Sequence, residues 1–149
     1  MKIIILTKNF ELDQDFKDYI VKKINSTEKN LESLFNNQRY YDSLFGKGKP
    51  KAEAWLEIGK TTGHHRKGEI FRAECQVRLP GKSVRVVARR TNLKQAVIEI
   101  KDKLQREFKE YKTKLIAKIK RGARILKKET HLSPEARFYR KGRILDEGI

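Results

Sequence analysis

Three consecutive stretches in the middle of the chain alternate between apolar and polar residues, and this pattern constrains the fold more than any other feature. The stretches are KAEAWLEIG (51–59), EIFRAECQVRL (69–79) and SVRVVARR (83–90). Alternation of period two with one polar face predicts antiparallel strands whose sheet is buried on one side and open to water on the other. The intervening PGK (80–82) predicts a tight turn between the last two strands. The residues expected on the open face include Arg72, Arg78 and Arg85.

The part of the chain that precedes these strands predicts one strand and one helix. KIIIL (2–6) is short and β-branched, which is typical of a buried strand. A helix is expected to follow Asp13, a good N-cap residue, with Asp15 in the first turn where the helix dipole favours an acid. Apolar residues at steps of three and four extend this helix to Leu34, and NNQRYYDSLFGKGKP (36–50) is expected to form a loop.

A second, longer helix is predicted after the last alternating strand. Thr91 or Asn92 would cap its N-terminus. Its apolar residues recur at steps of three and four over about seven turns, and it is expected to end near Ile119, before Gly122. The apolar stripe consists of Leu93, Val97, Ile100, Leu104, Phe108, Tyr111 and Leu115.

The element order β-α-β-β-β-α predicts an α+β two-layer sandwich. A helix between the first two strands favours a right-handed parallel crossover, and the last three strands form a meander. Both helices can then pack on one face of a four-stranded sheet, in a topology that overlaps that of double-stranded-RNA-binding domains. Residues 1–120 are expected to form this domain. Residues 121–149 are expected to form a basic C-terminal tail that is flexible without a partner.

The positive charge of the chain predicts a polyanionic partner. The formal net charge is +17, of which +1 lies in residues 1–40, +7 in residues 41–90 and +9 in residues 91–149. No apolar run approaches the ~20 residues that span a bilayer, and the N-terminal apolar run is too short for a signal peptide, so a cytoplasmic location and no membrane partner are expected. Without a helix-turn-helix or zinc unit, structured RNA is favoured over DNA.

Residues capable of catalysis or metal binding are few and poorly arranged. His64 and His65 are adjacent in a loop, which does not suit a shared metal. Cys75 alternates with apolar residues and is expected in the core. GKGKP (46–50) lacks the spacing of a phosphate-binding loop, and no pair of carboxylates suits acid–base chemistry. We therefore expect no enzymatic activity, no cofactor, no metal and no small-molecule substrate.

The segment GEIFRAECQVRLPGKSVRVVARRTNLKQAVIEIKDKLQREFKEYKTKL (68–115) resembles the ribosome hibernation-promoting factors, or ribosome-associated inhibitors, of the sigma-54 modulation protein family. The similarity covers about residues 2–115. The helix signature K-L-x-R-x-[LIF]-x-K is matched at Lys103, Leu104, Arg106 and Phe108, with its last lysine displaced to Lys109. The resemblance implies binding to rRNA in the decoding channel of the small subunit, competition with tRNA and mRNA under stress or in stationary phase, and no catalysis.

The chain departs from this family at several positions. Asn92 and Leu93 stand where the family has an acid and an aromatic residue, and the loop 40–49 is long. The last thirty residues leave no room for the second domain of the long form, so the resemblance is to the short form, and a monomer is expected. Two alternatives remain open, namely a free double-stranded-RNA-binding module and a constitutive ribosome assembly protein.

The candidate rRNA-binding residues are all basic, and their role would be contact with phosphates. Lys94, Lys101 and Lys112 fall close to one line on the last helix. Aromatic residues at Tyr40, Tyr41, Phe45 and Trp55 either stack on bases or pack under the long loop. Basic and aromatic residues of the tail either solubilise the terminus or lie along RNA. They are Arg137, Phe138, Tyr139, Arg140, Lys141 and Arg143. The full set of candidate phosphate contacts is Lys94, Lys101, Arg106, Lys109 and Lys112, followed by Lys22, Lys29, Arg85 and Arg89.

Overall fold

The computed structural model describes residues 1–48, 51–61 and 70–129, without the side chains of Tyr40 and Glu129. The histidine pair at 64–65 and the predicted tail contacts at 137–143 lie outside these residues. The chain divides into two compact units, Met1–Lys112 and Thr113–Ile149. The elements are β1 (Lys2–Lys8), α1 (Gln14–Glu28), α2 (Glu32–Phe35), α3 (Gln38–Phe45), β2 (Glu53–Thr61), β3 (Ile70–Leu79), β4 (Lys82–Arg90) and α4 (Leu93–Glu129).

The sheet has four strands in the order β1-β2-β3-β4, as the sequence predicts. β1 pairs with β2 in parallel, and the other two pairs are antiparallel. The β3–β4 hairpin closes at the pair Leu79–Lys82, so Pro80 and Gly81 alone form the turn. Gly81 has a φ of +74°, a conformation that glycine adopts at low cost.

The buried face of the sheet supplies one half of the core, and helices supply the other. Leu56, Cys75 and Val86 lie side by side across three strands and are buried. Ile20 of α1 and Leu104 of α4 have no exposed surface. Because alternate residues on the opposite sheet face are accessible, the predicted two-layer α+β sandwich with one open sheet face is confirmed.

The first predicted helix is shorter than its apolar pattern indicates. Instead of reaching Leu34 it ends at Glu28, and a turn leads into the short α2. Thr27 donates its hydroxyl to the Ile24 carbonyl at 2.6 Å, and the Asn30 amide donates to the Thr27 carbonyl at 3.1 Å. Such side-chain bonds compete with the helical backbone pattern. Leu34 is nevertheless buried, so its predicted place in the core is correct.

The segment predicted as a loop at 36–50 contains the two-turn helix α3, and that part of the prediction is wrong. Tyr41 is fully buried, with its ring 5.7 Å from that of Phe35 and 5.0 Å from that of Phe45. Gln38 donates to the Asp42 carboxylate at 2.7 Å across one helical turn. Tertiary packing of the Tyr41 side chain thus stabilises a helix. The polar residues around it in the sequence show no helical periodicity from which to predict it. Tyr41 is a core residue and is not accessible for stacking on a base.

Helix α4 begins as predicted and ends ten residues later than predicted. The Lys94 N–H donates to the Asn92 side-chain oxygen at 2.8 Å, which confirms the asparagine as a cap. The expected end near Ile119 is wrong because Gly122 does not stop the helix. A glycine inside a helix costs about 1 kcal/mol relative to alanine, and the residues around it are strong helix formers. The domain boundary at residue 120 stays a prediction.

The raised pKa values of two buried side chains, Cys75 and Tyr111, lead us to expect a loss of stability at alkaline pH. Burial raises the pKa of the Cys75 thiol to about 12 from an ordinary 9.0, and burial together with the nearby Tyr41 raises the pKa of Tyr111 to about 12 from 10.0. Both groups therefore release their protons in the unfolded chain before they do so in the folded protein. Their contribution to stability is complete below pH 9 and is lost between pH 9 and 12.

Urea unfolding at pH 8 and at pH 10.5 measures this effect. The free energy of unfolding should fall between the two conditions, and it should fall less in Cys75→Ala, which lacks one of the buried groups with a raised pKa; Tyr41, whose pKa burial also raises, is present in both proteins. An equal fall in both proteins would show that the thiol makes no such contribution.

Candidate nucleic-acid interface

The candidate bases on the first part of α4 differ in how far they reach into solvent. Lys94, Arg106 and Lys109 are exposed. Lys101 and Lys112 are half-buried, because they flank the apolar stripe that faces the sheet. The structure therefore places the first three on the solvent-exposed side of the helix, and the other two at the edge of the helix layer.

Acidic residues offset much of the charge on this part of the helix. Glu99 lies 2.6 Å from Arg90 and 2.7 Å from Lys103, and these two bases hold the pKa of its carboxyl below the usual value. Lys101 pairs with Asp102 at 3.2 Å. Between Leu93 and Lys112 there are six bases and four acids, which leaves a net charge of only +2.

The continuation of α4 from Thr113 to Lys128 is the most basic part of the described chain. It contains seven bases and no acid. At 100° per residue, all seven fall within about half of the helix circumference, and most of the aliphatic residues fall on the other half. The sequence did not predict that these bases share one helix, because the helix was expected to end near Ile119. The signal that could have identified them is the absence of any acidic residue between Thr113 and Lys128. The bases are Lys114, Lys118, Lys120, Arg121, Arg124, Lys127 and Lys128.

The candidate bases of α1 are exposed but few. Lys22 and Lys29 are both accessible, the second at the C-cap position of the helix. Between them, Lys23 is half-buried, with its ammonium 5.5 Å from the centre of the Tyr19 ring. This helix therefore offers two accessible cations.

The remaining candidates, Arg85 and Arg89, lie on the open face of the sheet, on the side opposite the helices. Arg85 donates to Glu74 at 2.6 Å, and Arg72 donates to the same carboxylate at 2.9 Å. The bond from Arg85, together with the charge of Arg72 and Lys8, lowers the pKa of Glu74. The candidate residues are thus divided between two faces of the first unit, and no flat partner can contact all of them.

Within the described residues, the structure offers little chemistry besides this charge. Cys75, the only cysteine, is buried and its thiol is held neutral. Among residues 1–48, 51–61 and 70–129 no three potential ligands are grouped as a metal site would require. No helix in the same part of the chain has the length and apolar character needed to cross a bilayer.

Comparison with known proteins identifies similar sequences and folds. The family model described as Sigma 54 modulation protein / S30EA ribosomal protein matches residues 3–116. The fold is similar to the crystal structure of the Protein Y N-terminal domain from Thermus thermophilus, with 24% identity, a TM-score of 0.53, and coverage of 74% of this chain and 99% of that one. It is also similar to a ribosomal subunit interface protein from Coxiella burnetii, with 13% identity, a TM-score of 0.53, and coverage of 76% and 99%. No curated protein matches the chain.

Proposed function

This chain belongs to the Sigma 54 modulation protein / S30EA ribosomal protein family, and on that premise we propose that it is a ribosome-associated inhibitor of translation. It binds as a monomer to rRNA in the decoding channel of the small subunit and competes there with tRNA and mRNA under stress or in stationary phase. One protein of similar fold, the ribosomal subunit interface protein from Coxiella burnetii, is consistent with this proposal.

The observation that carries the proposal is the presence of exposed bases on both faces of the first unit. Lys94 and Arg106 are accessible on the helix side, and Arg89 is accessible on the opposite side of the sheet. A single RNA duplex contacts one face of a small domain. The walls of an rRNA channel contact two opposite faces of the domain at once. Contacts with phosphates are sequence-independent and fix position, which suits a protein that occupies a channel.

No catalytic step is part of this proposal. The only thiol is buried and neutral, and the carboxyls whose pKa values shift most clearly, Glu74 and Glu99, are paired with bases and shifted downwards. A carboxylate held ionised by neighbouring bases is a poor general acid or base near neutral pH.

Sedimentation of ribosomes through the growth cycle tests the proposal. The protein should co-sediment with small subunits in stationary phase and be absent from them during growth, whereas an assembly protein would be bound throughout. A gel-shift comparison adds the second test, because a free double-stranded-RNA-binding module would bind plain duplex RNA as tightly as it binds small subunits.

Reversing two exposed charges on α4 should weaken binding to the small subunit. Lys94→Glu combined with Arg106→Glu is expected to lower affinity about tenfold or more and to reduce the salt slope by about two, because two phosphate contacts become repulsive. The matched control is Arg39→Glu with Lys47→Glu, which changes the net charge equally at exposed positions of the α3 region. Equal losses in both variants would mean that only the overall charge matters, and the interface would not include α4.

A further inference from the structure

The open face of the sheet carries a tryptophan in the middle of a row that crosses all four strands. Backbone pairing places Ile4, Trp55, Gln76 and Arg85 side by side in that order. Trp55 is half-buried on the polar side of β2, and Ile4 next to it is 37% exposed. An indole at this place covers no core residue, since the residues flanking it in sequence provide the buried side of the strand.

The guanidinium of Arg78 lies over this indole, with 5.1 Å between its central carbon and the ring centre. In the described part of the chain Arg78 pairs with no carboxylate, whereas Arg72 and Arg85 on the same face both contact Glu74. The ring and the guanidinium therefore form a cation–π pair. Glu53 lies opposite Arg78 in the strand register but forms no ion pair with it in the described part of the chain.

The charge around this pair suits a polyanion. Among the described residues of the four strands, the open face carries six basic side chains against three acidic ones. Two of those acids are already paired, Glu57 with Lys8 at 2.8 Å and Glu74 with two arginines. The six bases are Lys2, Lys8, Arg72, Arg78, Arg85 and Arg89.

We propose that Trp55 and Arg78, with Ile4 beside them, form a stacking site for an unpaired nucleobase of single-stranded RNA, and that the lysine and arginine side chains of the same sheet face bind the phosphates of that strand. Unpaired bases stack on aromatic side chains and on arginine planes, and sheet faces present such groups to single strands. A duplex does not offer this contact, because its bases are stacked on each other. The inference rests on the proposed function for the identity of the partner as RNA, and it adds a single-stranded segment to the phosphate contacts proposed above.

Trp55 is the only tryptophan of the chain, so fluorescence excited selectively at tryptophan, without the five tyrosines, reports on this site. Titration with a ten-nucleotide single-stranded RNA should quench this fluorescence, and a duplex of the same length that binds through its phosphates should quench it much less. Binding itself is followed independently by the polarisation of labelled RNA. Trp55→Ala is expected to lower the affinity for single-stranded RNA about fivefold or more. Trp55→Phe should keep most of the affinity, because the aromatic plane is retained. Arg78→Ala should weaken binding more than Arg78→Lys does.

Thermal unfolding of each variant tests whether the fold is kept. Trp55→Phe is the matched control for the loss of packing in Trp55→Ala. Unchanged fluorescence at saturating RNA, or wild-type affinity in Trp55→Ala, would overturn the stacking site. If Trp55→Ala weakens binding to small subunits while single strands cause no quenching, this face contacts a ribosomal protein or a duplex, and the proposal is equally wrong. Quenching by single strands in a protein that does not associate with small subunits would leave the stacking site standing and refute the proposed function.

Discussion

The affinity of the protein for the small ribosomal subunit is expected to fall about a thousandfold when salt rises from ~50 to ~200 mM. Each phosphate that a lysine or arginine neutralises releases condensed counterions, and about six such contacts produce a loss of this size on the duplex-DNA scale. The chain can supply them, because Lys94, Arg106 and Lys109 are exposed on α4 and seven further bases follow between Thr113 and Lys128.

Sedimentation binding assays at four or five salt concentrations give the slope directly. A chloride and a glutamate series should be compared, since counterion release from the RNA depends on the cation while competition for the basic side chains depends on the anion. An affinity that barely responds to salt would contradict phosphate contact as the main source of binding, whatever the location of the site.

Leu104→Ala is expected to destabilise the protein by about 2–5 kcal/mol. The side chain has no exposed surface and lies in the middle of the α4 stripe. Removing it costs the transfer free energy of the lost methyl groups and leaves a cavity that the surrounding sheet can only partly fill. Urea unfolding measures the change.

Ile98→Ala is the matched control for this experiment. Ile98 lies on the same helix, six residues earlier, and is 41% exposed. Its truncation should change the free energy of unfolding by well under about 1 kcal/mol. If both variants lose the same stability, burial of Leu104 against the sheet is not the source of the loss, since alanine is the better helix former at both positions. If Leu104→Ala loses almost none, α4 does not contribute to the core as the structure indicates.

The sheet and the caps were predictable because their signals are local. Strict alternation places Leu56, Cys75 and Val86 on one face whatever lies elsewhere, and a proline–glycine pair specifies the hairpin turn. The asparagine before α4 caps the helix through a bond two residues away. Pattern and structure agree where a single physical rule acts without competition.

Helix lengths were less predictable because they depend on competing effects. α1 stops where Thr27 and Asn30 bond to the backbone, although the apolar period continues. α3 exists because Tyr41 reaches the core, a contact that no local pattern shows. α4 continues through Gly122 because the helix formers on either side outweigh the cost of one glycine.

The candidate site was only partly accessible to the same reasoning. The residue types and the basic character of α4 could be read directly. The division of the candidates between two faces, with Arg85 and Arg89 behind the sheet, requires the strand register. The pairing of Glu99 with Arg90 and Lys103 joins a strand to a helix and is likewise a tertiary fact. The pair formed by Arg78 and Trp55 joins two strands, and their place on one face follows from the alternation, but their contact does not.

The parallel pairing of β1 with β2 has a consequence for the order in which the fold assembles. β2, β3 and β4 follow one another as antiparallel neighbours, so they can meet after the closure of short loops. β1 pairs with residues about fifty positions away, as in Ile4 with Trp55, and only after the connecting helices are in place. It is also an edge strand with half of Leu6 in water. We therefore expect the meander to form the early nucleus, and β1 to be the last strand to join the sheet and the first to leave it.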